Sequence, residues 1–144
     1  MDAKRLVVGT FVGGVALYAA GYVIFTRAFA DFYAANAGSA TGVDREGQLF
    51  WAMALANLAY AALVTFAIGN RVGSLSIGQG ATTGAIVGFL LWLTADFVFY
   101  STTNVANLTR TVVDPLLEIV HGGIGGAVIA GVLSRMPASG RKPV

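Results

Sequence analysis

The chain contains no cysteine, a single histidine and three prolines, and only 11% of its 144 residues are charged. Without cysteine, disulfides, thiol nucleophiles and thiolate metal sites are excluded, and cysteine usage says nothing of the redox compartment. With His121 as the one imidazole, a multi-histidine metal centre within one chain is excluded too. The shortage of charge says most. Soluble globular proteins carry roughly 25% charged residues, whereas 56% of this chain is hydrophobic, a composition suited to lipid. A net charge of +2, with nine Lys and Arg placed between and beyond apolar runs instead of along a stripe, leaves no footprint for nucleic acid. The partner this composition calls for is the lipid bilayer.

What is present is a set of four apolar runs, at about 6–26, 48–69, 80–101 and 115–134. Each approaches the roughly 20 residues a helix needs to cross a hydrocarbon core. None shows the strict alternation of a barrel strand, and within lipid only helices and closed barrels satisfy the backbone. The predicted fold is therefore all-α: an integral membrane four-helix transmembrane bundle over 1–136, followed by a basic tail at 137–144. Lys4 and Arg5, the apolar run after them and Ala28-Phe29-Ala30 imitate a secretory signal. The run from Leu6 to Phe25 exceeds the roughly 7–15 residues of a signal core, so an uncleaved first span is expected. Six basic residues (Lys4, Arg5, Arg71, Arg135, Arg141, Lys142) fall on one side of a four-span topology and three (Arg27, Arg45, Arg110) on the other, which predicts cytoplasmic termini.

Between the spans, Phe29, Phe32 and Tyr33 recur at helical spacing after span 1 and predict a helix emerging at the interface. The long connection that follows, to Glu46, is a candidate recognition surface. Gly69-Asn70-Arg71 is a helix stop, and the short link after it predicts that spans 2 and 3 are antiparallel neighbours. Asp114-Pro115 reads as the start of span 4, with Asp as cap and Pro at the first helical position. Gly14, Tyr18 and Tyr22 align weakly with Gly88, Trp92 and Asp96, and Asn57 with His121, the mark of a 2+2 helical-hairpin repeat or of chance.

Depth selects the polar residues that can meet. Counted from Pro115, His121 lies roughly 9 Å into span 4, and Asp96 lies roughly 8 Å from the matching end of span 3. Tyr22 and Asn57 reach similar depths, so the expected intramembrane polar site is a ring of Asp96, His121, Asn57 and Tyr22 with Glu118 as its lid. An acid within a span costs about 2.5–3.5 kcal/mol on insertion scales, which makes it a functional candidate once it has a partner; the partner expected for Asp96 is His121. The plainer alternative is that these groups only join helices, at roughly 0.6–2 kcal/mol per hydrogen bond. Gly80, Gly84 and Gly88, and again Gly122 and Gly126, stand four residues apart and predict close helix-packing seams. Glu118 and His121 have the Glu-x-x-His spacing of metal-binding bundles, but a second such pair is missing, so no metal is expected. Ser101 or Thr102 with His121 and Asp96 supplies the residue types of a hydrolase without its spacing, and the glycines of span 4 lack the strand and lysine of a phosphate loop. No catalytic residue and no cofactor is assigned, and enzyme activity is left open with the balance against it.

At FYAANAGSATGV (32–43) and YSTTNVANLT (100–109) the chain resembles a family of small four-span bacterial membrane proteins of unknown function. The resemblance implies a bacterial inner-membrane location and a stand-alone domain, and it carries no catalytic role. The leading functional expectation is a non-enzymatic accessory protein, working as a homo-oligomer or as a subunit of a larger membrane complex through exposed glycine seams. The alternative is a small-solute or proton pathway through the polar layer. A membrane enzyme stands third.

Overall fold

A computed structural model describes residues 3–69 and 75–136. It consists of α1 (Ala3–Gly21), which continues as a π-helical segment over Tyr22–Ala28, then a short α2 (Ala30–Ala35), α3 (Phe50–Gly69), α4 (Ile77–Thr102) and α5 (Leu108–Leu133). Four helical stretches, Ala3–Ala28, Phe50–Gly69, Ile77–Thr102 and Leu108–Leu133, are long and apolar enough to cross a membrane. They pack as a bundle, so the protein is a multi-pass helical membrane protein. Below, the end of the bundle nearest Ala3 and Leu133 is the terminal end and the opposite one the distal end.

The helices pair as two hairpins. In lipid there is no hydrophobic force between helices, so close packing must come from small residues that let backbones approach. In α4 and α5 the two glycine stripes face one another: a Cβ on Gly84 would collide with the carbonyl of Gly122, and one on Gly126 with the carbonyl of Gly80. The seams expected to be exposed are thus closed within the chain. A third stripe serves α1, where Gly9 lies against Thr65, Gly13 against Ile129 and Ala61, and Gly14 against Leu58. Leu17, Val64, Ile129 and Leu133 fill the terminal half of the bundle and are fully buried.

Two expectations are corrected. Span 4 starts at Leu108, not at Pro115: Asn107 is the N-cap, its side-chain oxygen accepting from the Arg110 amide at 2.9 Å, and Pro115 lies inside the helix, fully buried. The short link after α3 also does not make α3 and α4 close neighbours, since α4 pairs with α5 and α3 with α1. The helix stop at Gly69-Asn70-Arg71 extends outside the described residues, as does the tail at 137–144.

Because α3 and α4 meet little, the bundle opens between them. No residue of α3 from Phe50 to Ala59 is buried, and Phe50, Trp51 and Leu55 are 66%, 69% and 60% exposed. The distal half of α3 stands apart. On the opposite side the two distal connections are joined: Gly38 N–H donates to the Val105 carbonyl, Ala40 N–H to that of Asn104, and Asn107 N–H to that of Asn36. The long connection therefore folds partly against the α4–α5 turn, and its exposed part is 41–49.

Candidate functional site

The polar centre of the molecule is Tyr60–Glu118–His121. Glu118 is 2% exposed, His121 5% and Tyr60 7%. On α5 the three-residue spacing puts Glu118 and His121 on neighbouring faces, and Glu118 Oε2 lies 2.9 Å from His121 Nδ1. The other ring nitrogen, Nε2, lies 2.9 Å from the Leu17 carbonyl oxygen of α1. Tyr60 of α3 donates its hydroxyl to the same Glu118 Oε2 at 3.3 Å. Three helices thus converge on one carboxyl oxygen and one imidazole.

Glycines make the room. A Cβ on Gly21 would sit 3.2 Å from His121 Nε2, and one on Gly88 or Gly122 would run into the Tyr60 hydroxyl. Phe25 and Tyr60 meet the imidazole edge-on, with ring centres 5.3 and 5.7 Å away. The backbone of α1 widens into the π-helical segment directly after Gly21, a form that often marks functional sites.

These partners fix the proton count. A carbonyl oxygen only accepts, so Nε2 must carry a hydrogen, and Nδ1 then faces Glu118 either as the acceptor of a neutral acid's proton or as the donor of an imidazolium. In both arrangements one proton lies between Glu118 and His121 and the pair has no net charge. Removing it would set two lone pairs against each other at 2.9 Å.

Towards the distal end, Tyr33 of α2 donates to Asp114 Oδ1, and the Arg110 guanidinium lies 4.9 Å above the Tyr33 ring. Asp114 is therefore a hydrogen-bond acceptor in mid-helix and not the cap of α5. Beside these groups the gap between α3 and α4 leaves a cleft of about 970 Å³. Tyr60, Glu118 and His121 form its floor, Tyr18, Tyr22, Asn57, Trp92, Arg110 and Asp114 its polar and aromatic walls, and Met53, Ala56, Leu63 and Leu91 its apolar ones.

Of the expected polar ring, His121, Glu118, Asn57 and Tyr22 line this cleft, and Asp96 does not. The Asp96–His121 contact is not formed. Both nitrogens of His121 are engaged elsewhere, while Asp96 Oδ2 is buried without a hydrogen-bond partner among the described residues. The cause is the helix start: with α5 beginning seven residues before Pro115, His121 lies roughly 10 Å deeper than a count from Pro115 puts it. Glu118 is a buried partner of His121 and not an interfacial lid. Tyr22 is bonded by Arg27 Nε at 2.9 Å, and Asn57 donates to the Met53 carbonyl of its own helix at 2.8 Å, so neither touches the imidazole.

Sequence reasoning did not assign Tyr60, Arg110 or the Leu17 carbonyl to the site. Tyr60 had a signal, being a hydroxyl in mid-span that must find a partner in hydrocarbon; a backbone carbonyl has none. Among the described residues no three His, Asp or Glu side chains converge as metal ligands. No family model, curated protein or solved structure matches the chain.

Proposed function

We propose that this protein is a membrane-embedded binding protein for a small amphipathic molecule, which enters sideways from the bilayer between α3 and α4 and is received on the Tyr60–Glu118–His121 floor. The observation that carries this reading is the cleft itself. Its volume falls in the range of roughly 300–1,000 Å³ typical of small-molecule sites, and it combines apolar walls with a few convergent polar groups. Binding is favoured over through-passage because the fully buried Leu17, Val64, Ile129 and Leu133 close the bundle on the terminal side of His121. The accessory-subunit reading keeps the small size and the lack of a catalytic motif but not the seams, since the glycines that were to meet a partner meet each other. The basic residues favour cytoplasmic termini, and the resemblance at 32–43 and 100–109 favours a bacterial inner membrane.

The test is native mass spectrometry of the protein released directly from its membrane, beside a variant with the cleft filled by Ala56→Trp and Ala59→Trp. A small-molecule adduct on the native chain that is absent from the filled variant is expected. A bare native chain, or the same adduct on both proteins, would overturn the reading.

A further inference from the structure

We infer that the molecule this cleft accepts is an amphipathic organic cation, an inference that rests on the binding reading above and adds the ligand's chemical class. The first observation is charge. The floor contributes none, because one proton is shared between Glu118 and His121. Among the lining residues the carboxyl groups of Asp44 and Asp114 stand against the guanidinium of Arg110, which lies on the Tyr33 ring; Arg27, over the Tyr22 ring, is not one of the lining residues.

The second observation is aromatic. Ring faces attract cations by their quadrupole, Trp most strongly, and the cleft is lined by Tyr18, Tyr22, Phe25, Tyr33, Tyr60 and Trp92. Two of these rings hold cations from the chain itself: Arg27 stands 5.2 Å over Tyr22, and Arg110 takes Tyr33. Trp92 carries neither arginine. Met53, Ala56 and Leu63 of α3 and Leu91 of α4 offer only apolar surface, which suits a ligand whose body is hydrocarbon.

Tetraphenylphosphonium and tetraphenylborate share a shape and differ in sign, so together they separate charge from hydrophobicity. Binding of each is measured by equilibrium dialysis on the protein in lipid nanodiscs, with empty nanodiscs subtracted. Saturable binding of the phosphonium is expected, with the borate at least about tenfold weaker. Trp92→Leu and Asp44→Asn are each expected to weaken the phosphonium by about threefold to tenfold, in line with one cation–π contact or one partly screened charge. Asp44 lies in an exposed connection, so its replacement leaves the fold intact, and the unfolding midpoint of Trp92→Leu is measured alongside.

Equal or tighter binding of the borate overturns the cation assignment while the cleft remains a binding site. Phosphonium binding that ignores both substitutions overturns it as well. If neither ion binds, the cation assignment falls, and the binding reading is judged separately by the adduct on the native chain.

Discussion

At the scale of single residues, the shared proton is the property with most consequence. A buried acceptor stripped of its donor costs about 1–3 kcal/mol, so the effect of replacing Glu118 depends on what the new side chain can donate. Glu118→Gln can place its amide nitrogen at the Oε2 position, one N–H donating to Nδ1 and the other to the Tyr60 oxygen, and should lower stability by less than about 1 kcal/mol; Glu118→Ala should lose about 1–3 kcal/mol. Unfolding in detergent, followed by circular dichroism, distinguishes the two, and equal losses would refute the assignment. Nitrogen-15 NMR of His121 should show Nε2 protonated in both the native protein and Glu118→Gln, because the Leu17 carbonyl demands it in either case. Part of this was legible beforehand. Three-residue spacing identified Glu118 and His121 as neighbours, whereas the choice of Asp96 as partner depended on a helix start that a stronger local signal concealed.

That signal belongs to the scale of elements. Asp114-Pro115 has the chemistry of a helix start, and Asn107 has it too; the polar residues between them made the stretch read as loop. They are a helix face: Arg110 and Asp114, four residues apart, turn towards the cleft, and Thr111 is buried, its hydroxyl donating to the Asn107 carbonyl at 2.9 Å. The glycine spacing of α4 and α5, by contrast, was legible as a packing pattern, although not as to which surface it meets, and the stripe of Gly9, Gly13 and Gly14 on α1 was not read. Gly84→Ala places a methyl against the Gly122 backbone and should prevent the α4–α5 hairpin from closing, seen as loss of folded protein by size-exclusion chromatography. Gly123→Ala, beside Gly122 on α5, meets nothing nearer than 3.7 Å and should fold normally. Damage from both, or from neither, would contradict the packing described.

At the scale of the whole molecule, four spans place both ends of the chain on one side, and composition alone revealed that much. The cleft could not be read in the same way, because it results from sparse contact between α3 and α4, and apolar spans look alike whether they face protein or lipid. Sidedness is open to measurement. A reporter fused after Val144 should read cytoplasm and one inserted at Ser39 the opposite compartment; the reverse result would place the Asp114–Arg110 rim of the cleft on the cytoplasmic face.

The uneven burial of α3 has a mechanical meaning. From Tyr60 to Ile68 the helix is gripped by the core, while from Phe50 to Ala59 no residue is buried, Leu58 packs against Gly14 of α1, and the far end joins the exposed segment 41–49. The change from unburied to buried falls at Tyr60, the same residue that holds Glu118 at 3.3 Å. A swing of the outer half towards α4 about that point would turn the hydroxyl, and would so link the width of the mouth to the hydrogen bond on the floor. Amide exchange should report the two halves separately, fast over the outer half and slow over the gripped one, and a ligand that draws the outer half inward should slow the first without altering the second.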